Sequence, residues 1–370
     1  MTKLQEAPLA PRFQVADFAP LLSLVTLIFV FSIVATDFLS FGTISLILKQ
    51  GAVLAIVATG LTFVLLCAEI DLSVGMMALL SACLCGVLWE SSFAAGPKEM
   101  NGADKVSSLT TAMLILLPIF ISLLFGLTSG FLTISSGLPS FIITLAMMNI
   151  TLGLARFLTR SQKFAVPPFL VRLGNSPCYE FGASGHGTLI IPQSAVLAMV
   201  VMIVAHLVLQ HTRFGRYVYM TGGNRQAARL AGIRTERIVI ACLAICACTA
   251  ACGGMVTAGR MNGVTLDQNV DLLLDAVACV VLGGTSLFGG EGSIGRTLIG
   301  VLSFTVLKVG LNLTNVERSI KQLPLSPAVK EAWLKASWVT QFDLLRPFLL
   351  GIVLMLALVI HGRLVKRRTN

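Results

Sequence analysis

The chain has 370 residues, of which 56% are hydrophobic and only 12% are charged, and its mean hydropathy is +0.88. These values lie far from those of soluble globular proteins and argue against a water-soluble enzyme. The formal net charge of +10 comes from basic residues that flank apolar runs, a distribution typical of membrane topology, so we expect no nucleic-acid partner. The composition predicts an all-α polytopic membrane protein.

Apolar runs follow one another along the chain, each long enough for a membrane-spanning helix of about 20 residues. The first run follows Lys3 and Arg12 and exceeds the apolar core of a signal peptide, about 7 to 15 residues, so we expect it to remain as a span. An alternative interpretation has eight spans and two re-entrant segments. The predicted helices are 20–37, 43–66, 72–90, 111–133, 139–158, 189–209, 236–260, 273–289, 295–315 and 344–361.

Basic residues predict the orientation, because cytoplasmic loops are enriched in arginine and lysine. The segment 210–237 holds six arginines and one acid, Glu236. We therefore expect this segment, the N-terminal tail 1–19 and the basic tail 362–370 to be cytoplasmic, with residues 20–361 forming a single transmembrane domain. The connections expected on the opposite side are 91–110, 159–188, 261–272 and 316–343.

The nine cysteines are placed like packing residues. All except Cys178 lie within or at the edges of apolar runs. No pair combines CxxC spacing with nearby histidines, so we predict neither a disulfide framework nor a metal site. Small buried thiols that pack helix against helix explain the pattern.

One predicted span is interrupted by glycine pairs at 283–284 and 289–290. The interruption exposes backbone groups that hydrocarbon cannot satisfy, so it requires protein or water around it. With ten spans, helices two to five and seven to ten run in opposite senses, which permits two inverted repeats around the broken helix.

A short arginine-bearing stretch, GGNRQAARLAG at 222–232, separates two apolar runs. Asn224 is a good N-cap and Gly232 a good C-terminal glycine, while Ala227 and Leu230 share one helix face. A helix of about two turns is unstable alone in water, so something must pack on it. Two kinds of surface could pack on this helix, namely anionic lipid or a groove in a cytoplasmic partner protein.

Further motifs accompany this stretch in order along residues 40 to 315. They are GLTFVLLCAEIDLSVG (60–75), LPSFIITLAMMNITLGLA (138–155), LDAVACVVLGGTSLFGGEGSIGRTLIGV (274–301) and GLNL (310–313). The combination resembles the membrane subunit of the ribose, xylose and galactoside class of ATP-binding cassette importers. The resemblance implies a permease of the bacterial inner membrane that imports a sugar or a sugar-like polyol.

The resemblance also implies partners. They are a second permease copy, as homodimer or paralogous heterodimer, two ATP-binding cassette domains, a periplasmic solute-binding protein and membrane lipid. The chain contains no P-loop motif, so we expect no bound cofactor here, and ATP to be hydrolysed on the partner chains. The coupling helix that docks the ATPase corresponds to Asn224–Gly232, with Ala227, Ala228 and Leu230 as buried anchors and Arg225 and Arg229 as rim charges.

Polar residues within spans, together with the broken helix, are the candidates for the translocation path. An amide in an apolar helix hydrogen-bonds either another helix or a hydroxylated solute. Asp267, Asp271 and Asp275 recur every four residues, which we interpret as a solvated helix face at the outer rim. The path candidates are Asp71, Asn149, Gly283, Gly284, Thr285, Ser286 and Asn312.

The chain departs from the family at one informative place. It has Ala68-Glu69-Ile70-Asp71 where the family usually reads Gly-Gly-Ile-Asp, which adds a carboxylate two residues from Asp71. An alternative function follows, a proton- or cation-coupled secondary transporter in which Glu69 and Asp71 titrate. The simpler role for both acids is to cap helices at a turn between two spans.

Overall fold

The structure, a computed structural model, describes residues 19–35, 37–93, 108–181, 188–314, 345–352 and 355–356. The described chain is mostly helical, with one antiparallel hairpin. Its elements are α1 (Ala19–Val34), α2 (Phe41–Leu66), α3 (Val74–Phe93), α4 (Ser108–Ser136), α5 (Ser140–Thr159), α6 (Pro168–Asn175), β1 (Pro177–Phe181), β2 (Leu189–Pro192), α7 (Gln193–His211), α8 (Arg213–Gly223), α9 (Arg225–Leu230), α10 (Thr235–Arg260), α11 (Leu272–Leu282) and α12 (Ile294–Leu313). Residues 345–352 are also helical.

Seven of the described helices are long and apolar enough to cross a membrane, namely α2, α3, α4, α5, α7, α10 and α12. Helices α1 and α11 are apolar but shorter. The all-α polytopic class is confirmed, whereas the described residues contain fewer full spans than the predicted ten. The predicted helix 344–361 lies partly outside the described residues.

The span predicted at 273–289 is wrong in length. Helix α11 ends at Leu282, with Gly283 as its C-cap. Its 11 residues extend about 16 Å, which is too short to cross a bilayer. Sequence patterns also gave no indication of α6, the β hairpin or α8, because none of these elements has a long apolar period.

Two helices of 26 residues, α2 and α10, pack in opposite directions at the centre of the bundle. Gly60 of α2 contacts Cys246 of α10, and Val57 contacts Gly253, so residue numbers rise on one helix as they fall on the other. A methyl group on Gly60 would lie 2.8 Å from the Cα atom of Cys246. Small residues therefore let the two backbones approach closely, and this contact buries most of both helices.

Helices α4, α5 and α7 each bury one side and expose the other. Their outward faces carry large apolar side chains such as Phe131, Phe157 and Ile203. A continuous apolar surface of this kind fits lipid or a second membrane-embedded chain.

The connections gather at two ends of the bundle. At the hairpin end, Phe164 and Val264 exchange backbone hydrogen bonds of 3.2 and 2.9 Å, which joins two connections predicted to share a side. At the α9 end, the amide of Gly290 donates to the carbonyl of Leu66 at 3.0 Å, which brings the loop 283–293 to α2 and α8. Among the described connections, 159–188 and 261–272 therefore meet at one end of the bundle, as predicted.

Candidate functional site

Helix α9 begins and ends as its sequence predicts. The Asn224 side chain accepts a hydrogen bond from the amide of Ala227 at 2.9 Å, so it is the N-cap. Gly232 follows the helix with φ +80°, a left-handed conformation that favours glycine. The helix is thereby limited to Arg225–Leu230.

The burial of α9 corrects one expected anchor. Ala228 is 1% exposed because it packs into the core of this chain, and it is therefore not free to contact a partner. Ala227 is exposed, and Leu230 is 85% exposed. The helix is held on the bundle by one side and presents the Leu230 side to the outside.

Arg225, the first of the two expected rim charges, is partly exposed and also forms bonds within this chain. Its guanidinium forms an ion pair with Glu69, which is 8% exposed, and also donates to the carbonyl of Cys67 at 3.5 Å. Arg229 is the more exposed of the two and pairs with Glu236 at 2.8 Å. The additional carboxylate of this chain therefore ties α9 to the segment that follows α2.

That segment, residues 67–73, is an irregular turn in which Ala68 and Ile70 are exposed while the acids Glu69 and Asp71 are buried. Asp71 is 3% exposed and accepts from both the amide and the hydroxyl of Ser73, at 2.9 and 2.6 Å. The Asp71 carboxyl also contacts Cys246, the twelfth residue of α10. The turn does connect two spans as predicted, but it packs beside the middle of α10 rather than at the end of that helix.

Backbone groups of the same turn are satisfied by α5. The amide of Ile70 donates to the Ser140 hydroxyl at 3.0 Å, and the amide of Leu72 donates to the Thr144 hydroxyl at 3.1 Å. Irregular backbone survives inside a membrane protein only where protein or water satisfies it. Asp71 therefore has a structural role in this turn, and Glu69 is occupied by Arg225.

The loop 283–293 packs against α8. It begins with the glycine-broken segment, which contains Gly283, Gly284, Thr285 and Ser286. A methyl group on Gly222 of α8 would overlap the carbonyl oxygen of Leu66 and lie 2.8 Å from the amide of Gly290. The Tyr219 hydroxyl donates to the carbonyl of Gly292 at 2.9 Å. Burial raises the pKa of Tyr219, so this phenol remains a donor at neutral pH.

The two asparagines among the path candidates lie in different surroundings. Asn149 is exposed on the outer face of α5, and its amide donates to the carbonyl of Leu145 at 3.0 Å. Asn312 lines a cavity of about 390 Å³ between α11, α12 and the helical stretch 345–352. The structure does not bring these asparagines together with Asp71 or with the loop 283–293.

A second cavity, the polar cavity, has a volume of about 280 Å³ and lies among α2, α10, α11 and α12. Asp267, Asp271 and Asp275 line it. Asp267 and Asp271 are exposed, in agreement with the solvated position expected for them, but they precede α11 and therefore share no helix face with Asp275. Asp275 pairs with Lys308 at 2.6 Å. Sequence reasoning missed the rest of the lining, although polar residues inside apolar helices were the available signal. The other polar lining residues are Gln50, Thr257, Arg260, Asn269 and Thr305.

A bundle of apolar helices with irregular segments and a polar cavity inside defines a membrane transport protein. A family described as the permease component of the branched-chain amino acid transport system matches residues 43–359. The chain belongs to this family. It is a transport subunit of an ATP-binding cassette importer and not an enzyme, and ATPase and solute-binding partners are general to such importers.

Curated relatives extend this assignment. The ribose import permease of Haemophilus influenzae is 32% identical over 313 residues, covering 82% of this chain and 89% of the relative. The fructose import permease of Rhizobium meliloti is 30% identical over 300 residues, covering 80% and 79%. The autoinducer 2 import permease of an Escherichia coli strain is 28% identical over 348 residues, covering 94% and 87%. No solved structure matches the chain significantly.

Proposed function

We propose that the chain is the permease of an importer for a sugar or sugar-like polyol, and that α9 is the element on which the separate ATPase docks. Relatives that are similar over four fifths of the chain are named for ribose and fructose import. The motifs between residues 60 and 313 point to the same class of solute. A hydroxylated solute also suits the polar lining of the bundle interior.

The observation that carries the docking role is the exposure of Leu230. This side chain is 85% exposed at the end of a six-residue helix whose opposite side is buried in the bundle. A single exposed leucine is common on protein surfaces. Leu230 supports docking because it lies on the element to which the family resemblance assigns contact with the ATPase.

The attachment of α9 gives docking a mechanical consequence. Arg225 connects the helix to Glu69, and the turn that contains Glu69 is bonded to α5 through Ser140 and Thr144. A displacement of α9 by an ATPase therefore acts on the interior turn 67–73 through a charge-assisted bond rather than through a flexible loop.

The proposed assembly has two permease copies, two ATPase domains and a periplasmic binding protein in a bacterial inner membrane. The arginine excess at the α9 end supports a cytoplasmic location for that end and for both termini. The exposed apolar faces of α4, α5 and α7 provide area for the second copy.

The docking role is tested by Leu230→Glu, with Gln226→Glu as the matched control. Both add one negative charge to exposed positions of α9, so both weaken the electrostatic part of adsorption to anionic lipid to a similar extent. Only Leu230→Glu places a carboxylate in a packed apolar groove, which weakens binding by orders of magnitude. We expect Leu230→Glu to lose co-purification with the ATPase and Gln226→Glu to retain it.

Equal retention in both variants contradicts docking through Leu230. Equal loss in both indicates a lipid-dependent assembly instead. The solute class has a separate test, the thermal stabilisation of the associated binding protein by monosaccharides and polyols. Stabilisation by branched-chain amino acids alone would overturn the sugar assignment.

A further inference from the structure

The polar cavity opens at the surface, where Asp267, Val270 and Asp271 are exposed, and extends inward between the helices. Its wall includes Val53 and Leu54, the thirteenth and fourteenth residues of the 26-residue α2. Thr305 of the same wall is the twelfth of the 20 residues of α12. The cavity therefore extends to the middle of two spans, at the depth where transporters commonly hold their solutes.

The backbone beside the cavity is discontinuous. Helix α10 ends at Arg260, and the connection 261–271 turns back into the bundle, where a methyl group on Gly75 would lie 2.8 Å from the carbonyl oxygen of Asn269. The short helix α11 then starts at Leu272 with its N-terminus at the cavity. Irregular backbone at such depth is tolerated where it lines a polar space.

The lining carries hydrogen-bonding groups that the described residues leave without partners. The Nδ2 atom of Asn269 and the Nε atom of Arg260 are buried and have no hydrogen-bond partner within the described ranges. A buried donor without an acceptor costs about 1 to 3 kcal/mol. Both donors belong to residues that line the cavity, so a rotation of either side chain would present an unpaired donor to an oxygen-rich occupant.

The charges of the lining favour a neutral occupant over a metal ion. Asp275 is neutralised by Lys308 at 2.6 Å. Arg260 offsets the formal charge of one of the two remaining acids, and both of these acids are exposed to solvent at the rim of the cavity. Within the part of the chain that the structure describes, no cluster of three or more His, Cys, Asp or Glu side chains could hold a metal ion. Mixed carboxylate, amide, hydroxyl and cationic groups instead match a molecule that bears many hydroxyls, each both donor and acceptor.

We propose that the polar cavity binds the transported solute, a neutral polyhydroxylated molecule of monosaccharide size, during its passage through the permease. The volume of about 280 Å³ is close to the lower end of ligand pockets, about 300 to 1,000 Å³. This assignment rests on the proposed function, and it gives Asn269 and the Asp275–Lys308 pair a role in recognising the solute.

Asn269→Gly is the sharpest variant, because the chain offers a matched control. Asn269 has φ +66° and Asn262 has φ +54°, so glycine keeps the backbone at either position. Both residues lie in the connection 261–271, but only Asn269 lines the polar cavity. Asn262 instead accepts from the amide of Asn175 at 3.2 Å.

Both variants are reconstituted in vesicles with the ATPase and the binding protein, and uptake of D-ribose and D-fructose is measured together with ATP hydrolysis. We expect Asn269→Gly to lower kcat/KM for uptake about three- to tenfold, the value of one neutral hydrogen bond. ATP hydrolysis stimulated by the binding protein should persist, since docking is unchanged. Asn262→Gly should transport like the wild type.

The double variant Asp275→Asn/Lys308→Gln removes the ion pair without leaving an unpaired charge, and we expect it to change the ratio of ribose to fructose uptake about tenfold. If the wild type imports neither these sugars nor any monosaccharide or polyol that stabilises the binding protein, the proposed function and this assignment both fail. If the wild type imports sugar while Asn269→Gly matches Asn262→Gly and the double variant keeps the ratio, the cavity assignment alone is overturned.

Discussion

The segments that follow the two 26-residue helices make an informative pair. Helix α2 is followed by the turn 67–73 and α10 by the connection 261–271, and both turn back into the bundle. Asp71 of the first reaches the middle of α10, and the cavity beside the second reaches the middle of α2. Each helix break is therefore packed against the other long helix.

The two breaks differ in how their polar groups are satisfied. In the turn 67–73, Asp71 is bonded to Ser73, Glu69 is paired with Arg225, and α5 hydroxyls accept from the backbone. In the connection 261–271, the amide nitrogen of Asn269 is buried and lacks a partner among the described residues, and Asn269 lines the polar cavity. A helix break whose polar groups all have hydrogen-bond partners, here called a saturated break, transmits displacements without binding solute. A break with unpaired polar groups can still bind a ligand.

The two breaks also meet. Gly75, just after the start of α3, lies against the carbonyl of Asn269. Contacts therefore run without interruption from α9 through Arg225 and Glu69 to α3, and from there to the polar cavity. Packed elements transmit displacements, so this chain of contacts would allow ATPase docking and solute passage to influence each other.

The largest expected effect concerns the contact between α8 and the end of α2, which supports the turn 67–73. Gly222→Ala places a methyl group onto the carbonyl oxygen of Leu66, whereas the nearest atom to a methyl group on neighbouring Gly223 is 4.0 Å away. We expect Gly222→Ala to lower the free energy of unfolding by about 3 kcal/mol or more and Gly223→Ala to be neutral or slightly stabilising. Thermal unfolding of the purified permease measures the difference. Equal stability of the two variants would show that α8 does not pack on α2 as described.

The second effect compares the two arginines of α9. Arg225→Ala leaves the buried Glu69 without its cation, so we expect a loss of about 1 to 3 kcal/mol. Arg229→Ala breaks an exposed pair with Glu236 and should cost less than about 1 kcal/mol. Chemical unfolding of both variants provides the measurement, and Glu69→Gln combined with Arg225→Gln should recover part of the loss. A larger loss for Arg229→Ala contradicts the ion pair between Arg225 and Glu69.

The third effect applies one substitution to both breaks. Asp71→Asn keeps an oxygen acceptor for Ser73 but weakens a charge-assisted bond, so we expect about 1 kcal/mol of destabilisation with transport of the folded protein retained. Asp271→Asn changes an exposed residue that makes no side-chain cap bond, so stability should stay within about 0.5 kcal/mol while uptake falls. Unfolding and uptake are measured on both proteins. The reverse pattern would exchange the roles of the two breaks.

The smallest expected effect tests which end of the bundle faces the cytoplasm. Cys178 is exposed in β1 at the hairpin end, and a cysteine introduced as Leu230→Cys, with Cys178→Ser, reports on the α9 end. A membrane-impermeant thiol reagent should label Cys178 in intact cells and Leu230→Cys only in inverted vesicles. Labelling of Leu230→Cys in intact cells reverses the orientation.

The local sequence determined much of this protein. The length of the apolar runs set most helices to within a few residues, and Asn224 and Gly232 defined α9 because caps act through neighbouring backbone groups. The glycines after Leu282 likewise marked where a helix stops. These features depend on interactions within a few residues, which is why a linear pattern predicts them.

Only the tertiary structure decided the long-range partners. The pairing of Arg225 with Glu69 spans 156 residues, and it ties one of the expected rim charges to the turn 67–73. Asp267, Asp271 and Asp275 have a helical spacing in the sequence, yet α11 begins only at Leu272. Asp275 alone pairs with Lys308, and all three acids line one cavity. Periodicity describes one element at a time, whereas the satisfaction of buried polar groups depends on which elements the fold packs side by side.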